Sequence, residues 1–284
     1  MDKYMNEYSM LEKKPSSIKR ERSIIKNLKA AFGERYVADI QTKDVNDYKI
    51  RRIRDDKVSK RTVNYELIVM GHAYTLAIEE WQWVRVNPAK NVKKFRVRNQ
   101  IERWLSPGEE ESLMKVSAEW LKDIIVFAIH TGFRQSEILD LKWEQIDIGR
   151  KTITISEQKN GGLDTLPLNV TALALLMRRR AASEGSAWVF PDEAGQRMPN
   201  QLIQRVFRGA VKVAGVEKFR FHDLRHTFAT RLVQIGVDLY TVAYLGRWKT
   251  LDMVKRYAHH NPESLRPGIE KLDAAMRPNI TNLS

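Results

Sequence analysis

Between Asn87-Pro88 and Gln100 the chain carries Lys90, Lys93, Lys94, Arg96 and Arg98 with neither a helical nor a strand period. A run of like charges entered through a proline makes a poor core element and suits an exposed connection able to lie along phosphates. The sequence therefore divides into a helical unit over residues 1–88, a basic linker over 89–101 and a second unit over 102–284. With 43% hydrophobic residues in a chain of 284, a sizeable core can be buried, and two domains are the simplest reading.

Before the linker, apolar residues recur at helical spacing. Ser17 can cap a helix that places Ile24, Ile25, Leu28 and Phe32 on one side and closes at Gly33. A second helix runs from about Thr42 with Val45, Tyr48 and Ile53. Ser59 can cap a third, longer one whose stripe is Val63, Leu67, Met70, Tyr74, Ala77, Ile78 and Trp81. The aromatic residues of that stripe are read as core, not as base-stacking groups. Lys49, Arg51, Arg52, Arg54, Lys57, Lys60 and Arg61 fall on other faces. Singly each is a solvated charge; together they look like a phosphate-binding surface.

After the linker, Ser106-Pro107-Gly108-Glu109 offers a capping box with proline in the first turn. Ile124 to Ile129 reads as a buried helix ended by Thr131-Gly132, so that Arg134 starts the next element, Ser136 to Trp143. Strand alternation is confined to Thr152-Ile153-Thr154-Ile155 and Thr165-Leu166-Pro167-Leu168. A turn at Gly161-Gly162 can join them, with Lys159 just before it and Pro167 marking an edge. Further helices are expected at about 170–181, 199–213, 223–235, 239–245, 250–260 and 267–276. The expected class is mainly α with a small antiparallel β-sheet.

The formal net charge is +14, and residues 1–100 hold 23 Lys+Arg against 13 Asp+Glu, so +10 of it lies there. Excess cation favours nucleic acid or an anionic membrane. No apolar run approaches the roughly 18 residues that span a bilayer, which leaves nucleic acid and no membrane. Met1-Asp2-Lys3-Tyr4 lacks the apolar segment of a secretory signal, and the absence of cysteine removes disulfides and thiolate ligands. A reducing cytoplasm fits.

The residues that carry chemistry cluster late in the chain. Tyr257 lies in Lys255-Arg256-Tyr257-Ala258-His259, shortly after Phe221-His222-Asp223-Leu224-Arg225-His226 and Leu245-Gly246-Arg247-Trp248. A further arginine sits upstream in Thr131-Gly132-Phe133-Arg134-Gln135-Ser136-Glu137. A phenol with a pKa of about 10 is a poor nucleophile near neutrality, so its covalent use demands cations that stabilise the attacked group. Two arginines, a lysine and a histidine suit a phosphodiester. Plainer readings stand beside this one: lone arginines pair on helix surfaces, Lys159 is a solvated edge residue, and Trp248 and Tyr257 are core aromatics. His222 and His226 at i, i+4 also resemble the zincin His-Glu-x-x-His pattern, although Asp223 is short for the usual base and Arg225 would set a cation beside the metal.

The ordered combination resembles the tyrosine recombinase family, the phage-type integrases, over nearly the whole chain. That resemblance implies a helical core-binding (SAM-like) domain, a basic linker and a mainly helical catalytic domain over 102–284 with a C-terminal docking segment. It assigns catalysis to Arg134, Lys159, His222, Arg225, Trp248 and Tyr257, with Glu137 behind them orienting basic groups, and DNA contact to Lys60, Arg61, Lys93, Lys94, Arg96 and Arg98. Phe133 stands where leucine is common, and Arg247 interrupts the usual Leu-Gly-His; neither removes a catalytic group.

The implied chemistry is strand cleavage through a 3′-phosphotyrosine without metal, ATP or any cofactor. Arg134 and Arg225 hold the phosphate oxygens, Trp248 packs and donates its indole N–H, Lys159 protonates the departing 5′-hydroxyl, and His222 assists at the tyrosine. The family further implies a homotetramer on a double-stranded DNA recombination site, monomeric when free, in a bacterial or phage-infected cell at the nucleoid. An accessory DNA-bending protein is a further expected partner. The segment Pro262 to Met276, with Ile269, Leu272, Ala275 and Met276, docks on a neighbour or folds back in cis. A type IB topoisomerase and a non-catalytic DNA-binding homologue remain alternatives. The chain starts close to its core-binding helices, which leaves little room for an arm-binding domain.

Overall fold

A computed structural model describes residues 1–97, 103–156, 162–183, 185–257 and 262–280. Its contacts form two units, Met1–Asn99 and Gln100–Ser284. Among the described residues no helix is long and apolar enough to cross a membrane.

The first unit is all-helical. The helices Pro15–Phe32, Thr42–Arg54 and Lys60–Glu79 bury Ile24, Leu28, Val45, Tyr48, Val63, Leu67, Met70 and Tyr74 in one core. Ser59 caps the longest as its spacing implies, accepting from the Thr62 amide at 3.2 Å. The first starts earlier than expected: Pro15 opens it and Ser17 already lies inside, because a proline at the first position forfeits no helical hydrogen bond. Gly33 ends this helix in right-handed geometry, with φ −66°, so no left-handed closure occurs there. A helical run over Asp2–Tyr4, Met5–Ser9 and Met10–Glu12, absent from the sequence reading, buries Tyr4 and Met5 in the same core.

Two basic features change meaning once packed. Arg52 leaves the phosphate-binding set: it donates to fully buried Glu66 at 2.6 and 3.0 Å, and Tyr48 adds a third donor to that carboxylate. A carboxylate in a core must be paired, so Arg52 serves stability. The start of the basic run is also not free. Ala89 and Val92 are buried, and the Asn64 amide clamps Phe95 through two 2.8 Å bonds, so Lys93, Lys94 and Arg96 stand exposed on a pinned backbone. Lys60 and Arg61 are exposed at the start of the third long helix, and Arg98 lies outside the described residues.

The second unit is built around the helix Glu119–Thr131, whose Leu121, Ile124, Ile125, Phe127 and Ala128 are fully buried. Burial of each of the leucine, isoleucine and phenylalanine side chains stabilises by about 1.5–3 kcal/mol. The helices Pro107–Val116, Val170–Ala181, Asn200–Val213 and Asp223–Gln234 share its core. The Ser106–Glu109 capping box forms, with Glu109 accepting from the Ser106 amide at 3.0 Å. The sheet has three antiparallel strands in the order β1 (Ile146–Asp147), β2 (Thr152–Ser156) and β3 (Leu163–Pro167); the two-residue β1 was too short to register as a pattern. Ile153 opposite Leu166 turns inward, and Pro167 lies on an edge strand. The connection over 157–161, with Lys159 and Gly161 of the expected turn, lies outside the described residues.

Three helical expectations need correction. The helix after Arg134 spans only Gln135–Leu139, and Trp143 belongs to a separate 3-10 turn, Trp143–Gln145, because the Gln145 side chain takes the Lys142 amide at 2.8 Å. In place of one helix over 250–260 there are 3-10 turns at Leu251–Met253 and Lys255–Tyr257. Thr250 is extended, and the bonds that follow close after three residues, Val254 to Leu251 and Tyr257 to Val254, both at 2.9 Å. The last helix is longer than expected, Pro262–Ile280, and leaves Ile269, Leu272 and Met276 exposed.

Candidate active site

The helix Asp223–Gln234 sets the geometry. Asp223 through Ala229 are all buried, so this helix has no solvent face over its first two turns. Its register is locked from both sides. Asp223 accepts from the Arg220 amide at 2.7 Å and from its guanidinium at 2.7 and 3.1 Å. The Thr227 hydroxyl donates to the Asp223 carbonyl and accepts from the Leu105 amide, each at 2.9 Å. With the register fixed, the directions of Arg225 and His226 follow.

Arg225 is 2% exposed, and no carboxylate among the described residues pairs with it. Its guanidinium donates to the carbonyl of Gly132 at 2.5 Å and to that of Gly246, and lies 4.1 Å from the Trp248 ring centroid. Both glycines are required. Gly132 has φ +67°, and a Cβ there would strike Phe228; a Cβ at Gly246 would fall inside the Trp248 ring. Burial first, then the cation of Arg134, hold the Arg225 guanidinium well below its ordinary range.

Arg134 heads its short helix, and Glu137 secures it, accepting from its amide at 2.6 Å and its guanidinium at 2.7 Å. The other Glu137 contact is Arg247, a residue in left-handed geometry (φ +55°) whose guanidinium lies 4.5 Å from the Phe133 ring. Burial alone would raise the Glu137 carboxyl, but Arg247 and then Arg134 outweigh it and hold it below the usual carboxylate range.

Tyr257, 8% exposed, packs in a small cluster with Ala229, Val242, Ala243, Val254 and Trp248. Burial pushes its phenol up to about 12 against the pull of Arg256 and Arg225. Its hydroxyl is hydrogen-bonded to Nδ1 of His226. Burial, and after it His222, push the His226 imidazole down to about 4, so the ring is neutral near pH 7 and Nδ1 can accept the phenolic proton.

The structure thus brings Arg134, Glu137, Arg225, Trp248 and Tyr257 into one unit. His222, expected at the tyrosine, is exposed at the helix start; its ring meets His226 edge-on at 5.0 Å, and among the described residues it makes no hydrogen bond to Tyr257. Of the two imidazoles that the zincin alternative would use, His226 has its Nδ1 hydrogen-bonded to Tyr257. Among the described residues no group of three His, Asp or Glu side chains is placed to hold a metal. Sequence reasoning weighed His226 only as a metal ligand, not as a partner of Tyr257, and did not name Arg247 as a site residue. His226 adjoins Arg225 in the chain and was the one available signal; Arg247 registered only as an interruption.

The sequence profile of the phage integrase family matches residues 103–264. The integrase of Salmonella phage P22 is 33% identical over 222 residues, which are 74% of this chain and 57% of that protein, so the chain spans little more than half its relative's length. Among solved structures, a variant Tn1549 transposon integrase in complex with a circular intermediate DNA superposes with a TM-score of 0.79 at 19% identity, covering 95% of this chain and 97% of that one. A lambda integrase tetramer bound to a Holliday junction gives 0.76 at 20% identity, covering 90% and 75%. At that identity the two structures speak for the fold, and the profile match, spanning more than half of the residues and the whole of the arginine–tyrosine site, decides the family: the chain belongs to the phage integrases, the tyrosine recombinases.

Proposed function

We propose that the chain is a site-specific DNA recombinase that breaks and rejoins strands through a 3′-phosphotyrosine at Tyr257, integrating or excising a mobile element or prophage. One observation carries this reading. Arg225 is a buried cation whose described partners are neutral carbonyls, and it lies on Trp248, which packs against the phenol of Tyr257 at 5.7 Å between ring centroids. A helix-surface arginine kept for stability pairs with a carboxylate, as Arg52 does; one buried without such a partner gains most from an arriving anion.

In the proposed reaction Arg134 and Arg225 hold the non-bridging oxygens of the scissile phosphate, where charge grows in the transition state. Lys159 protonates the departing 5′ oxygen. Glu137 stays behind the arginines and keeps Arg134 in place, since a carboxylate on the phosphate would repel it. The phosphotyrosine conserves the ester energy, so rejoining needs neither ATP nor cofactor. Four protomers act on two duplexes, with the exposed Ile269, Leu272 and Met276 face of the last helix covered by a neighbour; the free protein is a monomer. The setting is the nucleoid of a bacterial or phage-infected cell, with an accessory DNA-bending protein. The lambda integrase tetramer on a junction supports the assembly by analogy.

The test is to denature the protein rapidly on DNA in excess EDTA and to sequence what stays covalently attached. The expected result is an adduct at one defined sequence. Activity lost in EDTA and restored by zinc or magnesium would overturn the metal-free mechanism, and supercoil relaxation by a monomer on any DNA would place the chain with the type IB topoisomerases. Binding has its own check. Replacing Lys93, Lys94 and Arg96 with alanine is expected to weaken all duplexes alike and to flatten the log–log salt dependence by about one unit per lost phosphate contact. An unchanged slope, measured by titration at several salt concentrations, returns these residues to solvated charge.

A further inference from the structure

We infer that His226, not His222, takes the phenolic proton of Tyr257 as that oxygen attacks phosphorus. The inference rests on Tyr257 being the nucleophile. It goes further by naming the group that makes a buried phenol usable.

Geometry carries it. His226 Nδ1 is hydrogen-bonded to the Tyr257 hydroxyl, the two rings lie 5.7 Å apart between centroids, the locked helix register fixes the direction of His226, and the Tyr257 ring is packed among Val242, Ala243, Val254 and Trp248. An acceptor already on the proton needs no rearrangement when the oxygen attacks. The charged and titratable groups around the pair are Arg220, His222, Asp223 and Arg225 from the His226 helix and the residues just before it, and Arg256 from the turn that carries Tyr257. Asp223 is engaged by Arg220, and the helix Leu239–Gly246 contributes apolar side chains to the cluster, Leu239, Val242 and Ala243. His226 is therefore the one uncharged base touching the hydroxyl among the described residues.

The step balances. The Tyr257 oxygen forms its bond to phosphorus as the bond from phosphorus to the 5′ oxygen breaks; the phenolic proton passes to His226 Nδ1, and the leaving oxygen takes its proton from the general acid. The resulting imidazolium faces a phosphate bearing extra negative charge. In rejoining the same imidazolium returns the proton to the phenolate as it leaves.

The experiment compares the full-length wild type with His226→Gln and His226→Ala in single-turnover cleavage of a nicked trapping duplex from about pH 6 to 9, each variant first shown to bind that duplex. Glutamine can accept the hydroxyl's hydrogen bond but cannot carry its proton away. Both variants are expected to be slower by about a hundredfold or more near neutrality. The deficit should shrink as pH rises, because ionised phenol grows about tenfold per unit and needs no acceptor. Wild-type rates in His226→Gln, or a deficit constant with pH, would overturn the inference and leave His226 as packing. Tyr257→Phe is run beside them: an adduct surviving there refutes the nucleophile itself, an outcome distinct from failure of the His226 step.

Discussion

Tyr257→Phe is expected to abolish the covalent protein–DNA adduct while leaving duplex binding nearly unchanged. The variant removes one hydroxyl and keeps the ring that packs against Val242, Ala243, Val254 and Trp248. The stability cost is then that of one hydrogen bond to His226, about 0.5–1.5 kcal/mol. The chemical cost is total, since phenylalanine offers no nucleophile. A denaturing gel with the nicked substrate, read beside native binding, decides it; an adduct of undiminished yield sinks the assignment.

Loss of Arg225 is expected to be nearly as severe and to differ in kind from loss of Lys159. Arg225→Ala deletes the guanidinium proposed to hold the developing negative charge, and is expected to cost about 10²- to 10³-fold in rate whatever the leaving group. It also strips the donors from the carbonyls of Gly132 and Gly246 and the cation from Trp248, so some stability is lost as well. Arg225→Lys keeps the charge without the fork and should recover little activity. Lys159→Ala, by contrast, should be slow on the ordinary ester and largely rescued when the leaving 5′ oxygen is replaced by sulfur, because a thiolate leaves without a proton. Single-turnover rates on paired oxygen and 5′-thio substrates separate the two; equal rescue of both, or of neither, means that Lys159 is not the acid.

Much of the fold follows from short-range patterns. Ser59 and Ser106 cap where their spacing implies, and the stripe from Val63 to Ala77 is the buried face of its helix, because capping and helical periodicity act within one or two turns. The misreadings arise where a short-range signal is weak or a distant partner intervenes. β1 is two residues long, and the residues about Tyr257 wind as 3-10 turns instead of a helix. The opening helical run is held by Tyr4 and Met5 in a core completed more than 50 residues later by Val63 and Met70. Arg52 reads as a surface cation until Glu66, one helix away, takes it.

The site divides along the same line. Arg134, Arg225, Trp248 and Tyr257 are singled out in the sequence by their order and type, through the resemblance to the tyrosine recombinases, and fork-shaped cations beside a phenol suit a phosphodiester. Which neighbour touches the nucleophile is not legible there. His222 and His226 are one turn apart, and in sequence the family resemblance favours His222. The choice falls to the packing that buries His226 against Tyr257 and leaves His222 exposed. Arg247 likewise joins the site only because a left-handed residue after Gly246 swings its guanidinium onto Glu137, 110 positions earlier. Chemical identity is written residue by residue, whereas contact between groups so distant in the chain is set by the locked helix register and the backbone turns that bring them together.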